Sequence, residues 1–196
     1  MDILLSICIS TYNRKTHLAN CIEQVFGMGI DFPFEVIVMD NCSIDDTPKI
    51  CEQNQYRSNF RYFRQDVNCG SEANALAAMR VANAKYCMNL ADDDLLILDG
   101  LKTVINYLED NDEVICAYTP WENWNCSENK SEGQFYAVPE ITVFQKNQIT
   151  EIFNFIITNT IYPEVAIFRS AALHMCMFKT YKVFYSYTLM TRLIKM

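Results

Sequence analysis

The stretch KYCMNLADDD, residues 85–94, decides the fold of this 196-residue chain. Its first seven residues are mostly apolar, as in a strand buried inside a sheet, and three carboxylates follow directly. Adjacent carboxylates repel one another and cost stability unless a cation compensates them. Mg²⁺ and Mn²⁺ provide that compensation through oxygen ligands while bridging to phosphate. The alternative is an Asp-rich turn in which Asp94 or Asp99 caps the next helix.

Four other segments are short, apolar and often β-branched, as strands are. They are LLSICIS (4–10), FEVIVMD (34–40), FRYFR (60–64) and EVICAYT (113–119). Segments with helical spacing of apolar residues lie between the strands, at 15–26, 71–83 and 99–109. A further helix at 45–55 is indicated by Ser43 or Asp45 as its cap and by Pro48 in its first turn. This alternation predicts an α/β fold with a Rossmann-like, mostly parallel sheet flanked by helices.

The alternation ends at Pro120. Residues 120–140 contain two Trp residues, Gly133 and Pro139, and we expect a long loop or excursion there. A helical pattern returns at about 145–157, a strand-like EVAIF follows at 164–168, and the pattern is then helical to the end of the sequence.

The composition restricts the class of protein. Hydrophobic residues make up 51% of the chain and charged residues 20%, as in a single globular domain. No apolar run reaches the roughly 18 residues of a membrane-spanning helix. Nine cysteines without a C-x-x-C pair are typical of free buried thiols in a reducing compartment. We therefore expect a cytoplasmic protein.

The charge is distributed unevenly along the chain. Residues 1–164 contain all 24 acidic residues and 11 basic ones, whereas residues 165–196 contain five basic residues and no acidic one. An acidic body of this kind argues against a general nucleic-acid-binding protein, which needs a broad basic face. The basic, aromatic C-terminus could contact anionic lipid, which would make the protein peripheral at a membrane, or a pyrophosphate. A solvated helix face above an apolar stripe is the other interpretation.

Ligands of open α/β sheets bind at the carboxyl ends of the strands, and polar residues follow the first two predicted strands. After the first, Tyr12 could stack on a base and Arg14 could contact a phosphate. After the second, Asp40 and Asn41 offer acceptors and donors for a base or ribose. A turn with a surface Arg, and capping of the helix at 45–55, are the alternatives at these two places.

The third predicted strand leads to Asn68 and Gly70, and Asn74 lies one turn into the next helix. Gly70 would let the chain approach a ligand closely. The sequence contains no G-x-G-x-x-G, G-x-x-x-x-G-K-[ST] or G-x-S-x-G motif. A sheet with Asp at two strand ends but no Gly-rich phosphate loop must hold phosphate in another way, and a metal ion is the natural one.

The motifs SICISTYNR (6–14), EVIVMDNCSIDDT (35–47), NCGSEAN (68–74) and AKYCMNLADDD (84–94) occur in this order. In their order and spacing they resemble the family 2 glycosyltransferases of GT-A fold, and among these the branch that builds O-antigens, capsules and other surface glycans. The resemblance covers roughly residues 3–110. It implies a nucleotide diphosphosugar donor, with UDP the expected nucleotide, and Mn²⁺ or Mg²⁺ as cofactor. It also implies an inverting single displacement onto a glycan or lipid-linked acceptor.

The resemblance assigns roles to individual residues. It implies that Asp93 is a metal ligand, that Asp94 is a second one, and that Asp92 faces the ribose or the donor sugar. The residues that it implies to be at the nucleotide are Ser10, Tyr12, Arg14, Asp40, Asn41 and Asn74. Many relatives have two acids where this chain has Asp40 and Asn41, so Asn41 is a departure from the family pattern.

The family's catalytic base is a second departure. Typical relatives supply it from an E-D-Y-x-L-x-x-R stretch in a late helix, and the similar stretch here, Tyr185–Arg192, has Ser186 at that position. Glu164 is the leading candidate for the base and Glu122 the next. The alternative is a catalytically degenerate domain that binds nucleotide sugar or scaffolds a complex. On the resemblance, residues 1–119 are the nucleotide-sugar-binding half and residues 120–196 the acceptor side of the same domain.

Overall fold

The computed structural model describes residues 2–125, 127–135, 140–145, 147–161 and 166–176. Eight strands and six helices lie within these ranges. The strands are β1 (Leu5–Thr11), β2 (Phe34–Asp40), β3 (Phe60–Arg64), β4 (Tyr86–Ala91), β5 (Cys116–Tyr118), β6 (Glu122–Asn125), β7 (Lys130–Gln134) and β8 (Ala166–Arg169). The helices are α1 (Lys15–Gly27), α2 (Thr47–Asn54), α3 (Ser71–Arg80), α4 (Leu98–Asp110), α5 (Ile149–Thr158) and α6 (Ser170–Cys176).

Six of the strands form one sheet, in the order β3-β2-β1-β4-β8-β5. β1 pairs in parallel with both β2 and β4, and β2 pairs in parallel with β3. β8 is antiparallel to its neighbours β4 and β5. The prediction of a mostly parallel sheet flanked by helices is confirmed, with the reversed β8 as the exception that the strand pattern alone did not indicate.

Each face of the sheet carries its own apolar core because successive strand residues point to opposite sides. One core joins alternate residues of the strands to the buried faces of α1 and α4, among them Leu18, Ile22, Leu101 and Ile105. The other joins the remaining strand residues to α3 and α6. The helical periods predicted for residues 15–26, 71–83 and 99–109 therefore correspond to helices that cover the sheet on both sides.

The excursion after Pro120 has more structure than the sequence predicted. β6 and β7 form an antiparallel hairpin, and at its base the rings of Trp121 and Phe135 pack with centroids 5.1 Å apart. The strand sequences ENWN and KSEGQ lack the alternation of apolar residues that marks a half-buried strand, and all but one of their residues are exposed. For this reason their pairing escaped prediction.

The later elements agree with the sequence pattern in type and differ in extent. α5 begins at Ile149, four residues after the predicted start of the helix, and the described part of the EVAIF strand is β8. α6 is the described beginning of the predicted terminal helix. Within the described ranges, the structure has no helix with the length and apolar character needed to cross a membrane.

A buried carboxylate fastens the amino-terminal edge of the sheet. Glu35, only 1% exposed, accepts hydrogen bonds from the hydroxyl of Ser6 (2.5 Å) and the backbone N–H of Asn83 (3.0 Å). Its second oxygen pairs with the guanidinium of Arg61 at 2.9 Å. These contacts join β1, β2, β3 and the segment that precedes β4. A charge taken out of water is stable only when it is paired in this way.

We expect Glu35→Gln to destabilise the fold. The amide has one acceptor oxygen where the carboxylate has two, so at least one of the three donors loses its partner, at a cost of about 1–3 kcal/mol. Urea unfolding monitored by circular dichroism gives this free energy of unfolding. Glu52→Gln on the exposed side of α2 is the matched control, and an equal effect of both substitutions would contradict the role assigned to Glu35.

Candidate functional site

The predicted binding residues gather at the carboxyl edge of the sheet because β1 lies between β2 and β4. In the strand register Ser10 stands beside Met39 on one side and Ala91 on the other, and Thr11 stands beside Asp40. The loops that follow the three strands therefore emerge side by side. An open cavity of about 380 Å³ lies at the start of α1, lined by Asn13, Arg14, Lys15, Thr16, His17 and Asp45.

Asp92 is held inside the protein. It is 3% exposed, and the hydroxyl of Thr11 donates a 2.6 Å hydrogen bond to its Oδ2, while Nη1 of Arg14 lies 3.0 Å from its Oδ1. Burial raises the pKa of Asp92, and the Thr11 hydroxyl and the Arg14 charge oppose that rise. Both oxygens of this carboxylate are thus engaged by the end of β1 and the start of α1.

Asp93 and Asp94 are exposed. The guanidinium of Arg14 donates a 2.6 Å hydrogen bond from Nη2 to Asp93, and this contact, above all, raises the pKa of Arg14. One guanidinium therefore bridges two carboxylates of the triplet and supplies the cation that their repulsion demands. In the described part of the chain, no three or more His, Cys, Asp or Glu side chains surround a common point as metal ligands would.

Asp40 is fully buried at the end of β2. Its Oδ1 accepts a hydrogen bond from the backbone N–H of Ser43 (2.9 Å), and its Oδ2 accepts one from the hydroxyl of Tyr62 (3.2 Å). The Nε of Arg64 lies 3.3 Å from the same Oδ2. Arg64 also donates to the backbone oxygen of Ser43 at 2.7 Å. Asp40 therefore organises the loop after β2 and the end of β3.

A second set of polar contacts joins the loops after β1 and β2. Asn13 adopts a left-handed backbone conformation, with φ at 53°. Its N–H donates to Oγ of Ser43 at 2.8 Å, and its side-chain oxygen accepts from the N–H of Ile44 at 2.8 Å. Lys15 pairs with Asp46 at 2.9 Å. The alternative that this loop also caps α2 is supported in part, because Asp45 accepts from the N–H of Thr47.

The remaining predicted residues occupy different environments. Tyr12 is 41% exposed at the end of β1, where its ring is accessible. Asn74 is buried in α3, donates to the backbone oxygen of Met39 at 2.7 Å, and has a side-chain oxygen that receives no hydrogen bond from the described residues. Ser10 is half-buried and Glu122 is exposed at the start of β6. Glu164 and the stretch Tyr185–Arg192 lie outside the described residues.

Sequence reasoning missed four residues that hold the acidic side chains in place: Thr11, Ser43, Tyr62 and Arg64. Thr11 and Arg64 end their strands, Tyr62 lies two residues before the end of β3, and Ser43 lies three residues after β2. Each contacts Asp40 or Asp92. For Thr11 and Arg64 the alternation of strands and helices was a usable signal, because parallel neighbours bring the residue that ends one strand beside the residue that ends the next. No such signal marks Tyr62 or Ser43. The roles predicted for Ser10, Tyr12, Arg14, Asp40, Asn41, Asn74 and Asp92–Asp94 stay predictions.

The chain resembles known proteins in sequence. The sequence model described as Glycosyl transferase family 2 matches residues 6–181. The chain is also 30% identical over 162 residues to the abequosyltransferase RfbV of Salmonella typhimurium, an alignment that covers 77% of this chain and 47% of that protein.

Solved structures share the fold. The crystal structure of S. aureus TarS 1–349, also solved with UDP-GlcNAc, has a TM-score of 0.73 at 18% identity and covers 97% of this chain and 55% of that one. The mannosyltransferase PcManGT from Pyrobaculum calidifontis, solved with GDP-Man and Mn²⁺, has a TM-score of 0.64 at 16% identity and covers 96% and 51%. The chain therefore spans about half the length of these relatives.

The contact between Asp40 and Tyr62 predicts a change in titration. Burial, and then the Asp40 carboxylate, raise the pKa of the Tyr62 hydroxyl well above its usual range. Asp40→Asn removes the negative charge, so Tyr62 should ionise at a lower pH than in the wild type. NMR spectra of protein with ring-labelled tyrosine follow the titration, and Tyr62→Phe assigns the signal. Identical titration in the wild type and in Asp40→Asn would contradict the contact.

Proposed function

The chain belongs to glycosyltransferase family 2, and from that premise we propose that it transfers a sugar from a nucleotide diphosphosugar to a glycan or lipid-linked acceptor. The observation that carries the proposal is the exposed carboxylate pair Asp93 and Asp94 beside the guanidinium of Arg14. Tyr12, two residues before Arg14 in the sequence, has an exposed ring. The two carboxylates suit a metal ion, the guanidinium suits a phosphate, and the aromatic ring suits a nucleobase. Residues 1–119 would bind the donor, and residues 120–196 would form the acceptor side.

The proposed donor is linked to UDP. The solved complex of TarS with UDP-GlcNAc supports a uridine nucleotide, since TarS shares the fold over nearly the whole chain. Tyr12 would stack on the base, because an exposed aromatic ring at a strand end offers an apolar face to it. Ser10 would approach the nucleotide from the end of β1. Asp40, Asn74 and Asp92 are buried, so they would act chiefly by holding the groups that contact it.

The residues at the end of β4 fit a divalent ion. Asp93 and Asp94 offer exposed carboxylate oxygens, which are the ligands that Mg²⁺ and Mn²⁺ prefer, and such ions commonly take one or two protein carboxylates together with substrate phosphates and water. The Mn²⁺ in the PcManGT complex supports such a cofactor. When bound, the ion would offset the charge that develops on the nucleoside diphosphate as it leaves.

The proposed transfer is an inverting single displacement. The acceptor hydroxyl must lose its proton to a carboxylate on the face opposite the leaving group. We assign this role to Glu164, with Glu122, exposed at the start of β6, as the second candidate. Arg14 would act on the other side of the sugar, where its guanidinium can donate to a diphosphate oxygen.

The uneven distribution of charge along the chain supports a proposal for where in the cell the reaction takes place. Residues 165–196 carry five basic residues and no acidic one, which suits peripheral contact with anionic lipid near a lipid-linked acceptor. The proposed location is the cytoplasmic side of the membrane.

The test of this function is incubation of the protein with a panel of nucleotide diphosphosugars, Mn²⁺ and candidate acceptors. An active transferase releases nucleoside diphosphate and extends an acceptor. Binding of a nucleotide sugar by calorimetry without release of diphosphate would instead favour the catalytically degenerate alternative, to which Ser186 at the position of the usual base points. Absence of both binding and release would overturn the proposal.

Tyr12→Ala should weaken UDP binding. Loss of stacking on a base costs about 1–3 kcal/mol, or roughly 5- to 150-fold in the dissociation constant. Isothermal titration calorimetry with UDP and Mn²⁺ measures the change. Tyr56→Ala is the control, since Tyr56 is 77% exposed and lies between α2 and β3, at the other edge of the sheet. Equal affinity of wild type and Tyr12→Ala would exclude stacking on this ring.

Asp93→Asn should abolish the stabilisation that Mn²⁺ and UDP together give the wild type. Ligands that bind only the folded state stabilise it, by about 2.7 kcal/mol at 100 times the dissociation constant. The exposed position of Asp93 predicts that the variant itself still folds. Thermal unfolding with and without the ligands measures the gain, and Asp110→Asn, an exposed acid at the end of α4, should keep it. A full gain in Asp93→Asn would remove Asp93 from the metal site.

A further inference from the structure

Asn41, which departs from the acidic pair of the family pattern, has a side chain that is fully engaged by the protein. It is 3% exposed and directly follows β2. Its Oδ1 accepts a hydrogen bond from the backbone N–H of Cys69 at 2.8 Å, and the Cys69 thiol lies 3.3 Å from the same oxygen. Its Nδ2 donates to Oδ1 of Asn68 at 2.9 Å. That Asn68 oxygen also accepts from the N–H of Gly70 at 2.9 Å.

These contacts fix the orientation of both amides. The N–H groups of Cys69 and Gly70 can only donate, so each must face a side-chain oxygen. The oxygen of Asn68 then faces Asn41, and only the amide nitrogen of Asn41 can meet it. A carboxylate at position 41 could still accept from Cys69, but it would present an oxygen to the oxygen of Asn68. The structure thus gives a physical reason for an amide at this position.

The same residue ties together three neighbouring parts of the edge. The backbone N–H of Asn41 donates to the backbone oxygen of Thr11 at 2.9 Å, which joins it to the end of β1. Its side chain reaches the segment Asn68–Gly70, where Gly70 has φ at 88° and leads into α3. We call Asn41, Asn68, Cys69 and Gly70 the amide clasp. The clasp connects the loop that carries Tyr12 to the start of α3.

We propose that Asn41 is a positioning residue that holds the Asn68–Gly70 segment against the end of β2, and so shapes the donor side of the edge before a nucleotide binds. It acts through the segment and not by a contact between its own amide and the base. This inference rests on the proposed function only for the statement that the ligand is a nucleotide. The clasp itself is tested without any ligand.

The contacts predict an asymmetry between two substitutions of the same type. Asn41→Asp removes the donor that Asn68 needs and sets two oxygens against each other. Asn68→Asp keeps both roles of residue 68, because a carboxylate oxygen accepts from Asn41 and from Gly70. The first substitution should open the clasp, and the second should leave it closed.

Amide hydrogen exchange measures the clasp directly. In Asn41→Asp the hydrogen bond between side chains 41 and 68 is lost, which favours opening of the Asn68–Gly70 segment. We therefore expect the amide protons of Cys69 and Gly70, which exchange when the segment opens, to exchange about tenfold faster than in the wild type. In Asn68→Asp both should exchange at the wild-type rate. Equal exchange in the two variants would overturn the proposal. If Asn41→Asp fails to fold, Asn68→Ala at an exposed position should speed the exchange of Gly70, and an unchanged rate there would overturn the proposal too.

A substitution that adds no charge tests whether the position of the Asn68–Gly70 segment affects nucleotide binding, because a new negative charge could itself weaken that binding. Asn68→Ala opens the clasp without adding a charge, so we expect a several-fold weaker affinity for UDP with Mn²⁺, whereas Gln53→Ala, exposed on α2, keeps the wild-type affinity. Addition of UDP should slow the exchange of Gly70 in Asn68→Ala as the segment orders around the ligand. Unchanged UDP affinity in Asn68→Ala would overturn the positioning role. If the wild type binds no nucleotide, the proposed function fails and the role in donor binding fails with it, while the exchange asymmetry still identifies the clasp.

Discussion

The buried charge of Asp40 is the constraint on which the carboxyl edge of the sheet depends. A carboxylate without solvent contact must receive hydrogen bonds or a counter-charge, and Asp40 takes these from a backbone N–H, a tyrosine and an arginine on neighbouring segments. Because these donors belong to the loop after β2 and to β3, their contacts with Asp40 hold that loop against the end of β3. The loop in turn anchors the turn after β1 through Ser43 and Asn13. The exposed side chains at this edge, such as Tyr12, therefore lie on loops whose positions are fixed by buried polar contacts.

The positive charge of Arg14 compensates part of the negative charge at the same edge without any ligand. It lies between a buried carboxylate, Asp92, and an exposed one, Asp93, so the folded protein tolerates three consecutive acids at the end of β4. Under the proposed function, an ion held by Asp93 and Asp94 would compete with the guanidinium for Asp93. The guanidinium would then become available to the diphosphate that arrives with the ion. Cation and anion would enter the site as a neutralising pair.

The sequence predicted the fold well where apolar periodicity reports burial, and poorly where it does not. The strands up to β4 and the helices α1, α3 and α4 follow from alternate or helical spacing of residues such as Ile7, Ile9, Leu101 and Ile105. The strands of the β6–β7 hairpin are polar and exposed to solvent, so no alternation of apolar residues identifies them in the sequence. The positions of the acidic residues at strand ends were predictable, but their hydrogen-bond partners were not, because Tyr62 reaches Asp40 only through the register between β2 and β3.

The reversed strand β8 also affects how the chain must be assembled. It fills the gap between β4 and β5, yet Arg169 follows its contact Tyr86 by 83 residues. Until that segment leaves the ribosome, the free side of β4 presents unpaired backbone groups, and an open strand edge is a template for pairing with another chain. At about 5–20 residues per second, synthesis leaves this edge unprotected for about 4–17 s. A nascent chain halted before β8 would thus expose an aggregation-prone surface although the loops after β1, β2 and β4 were already complete.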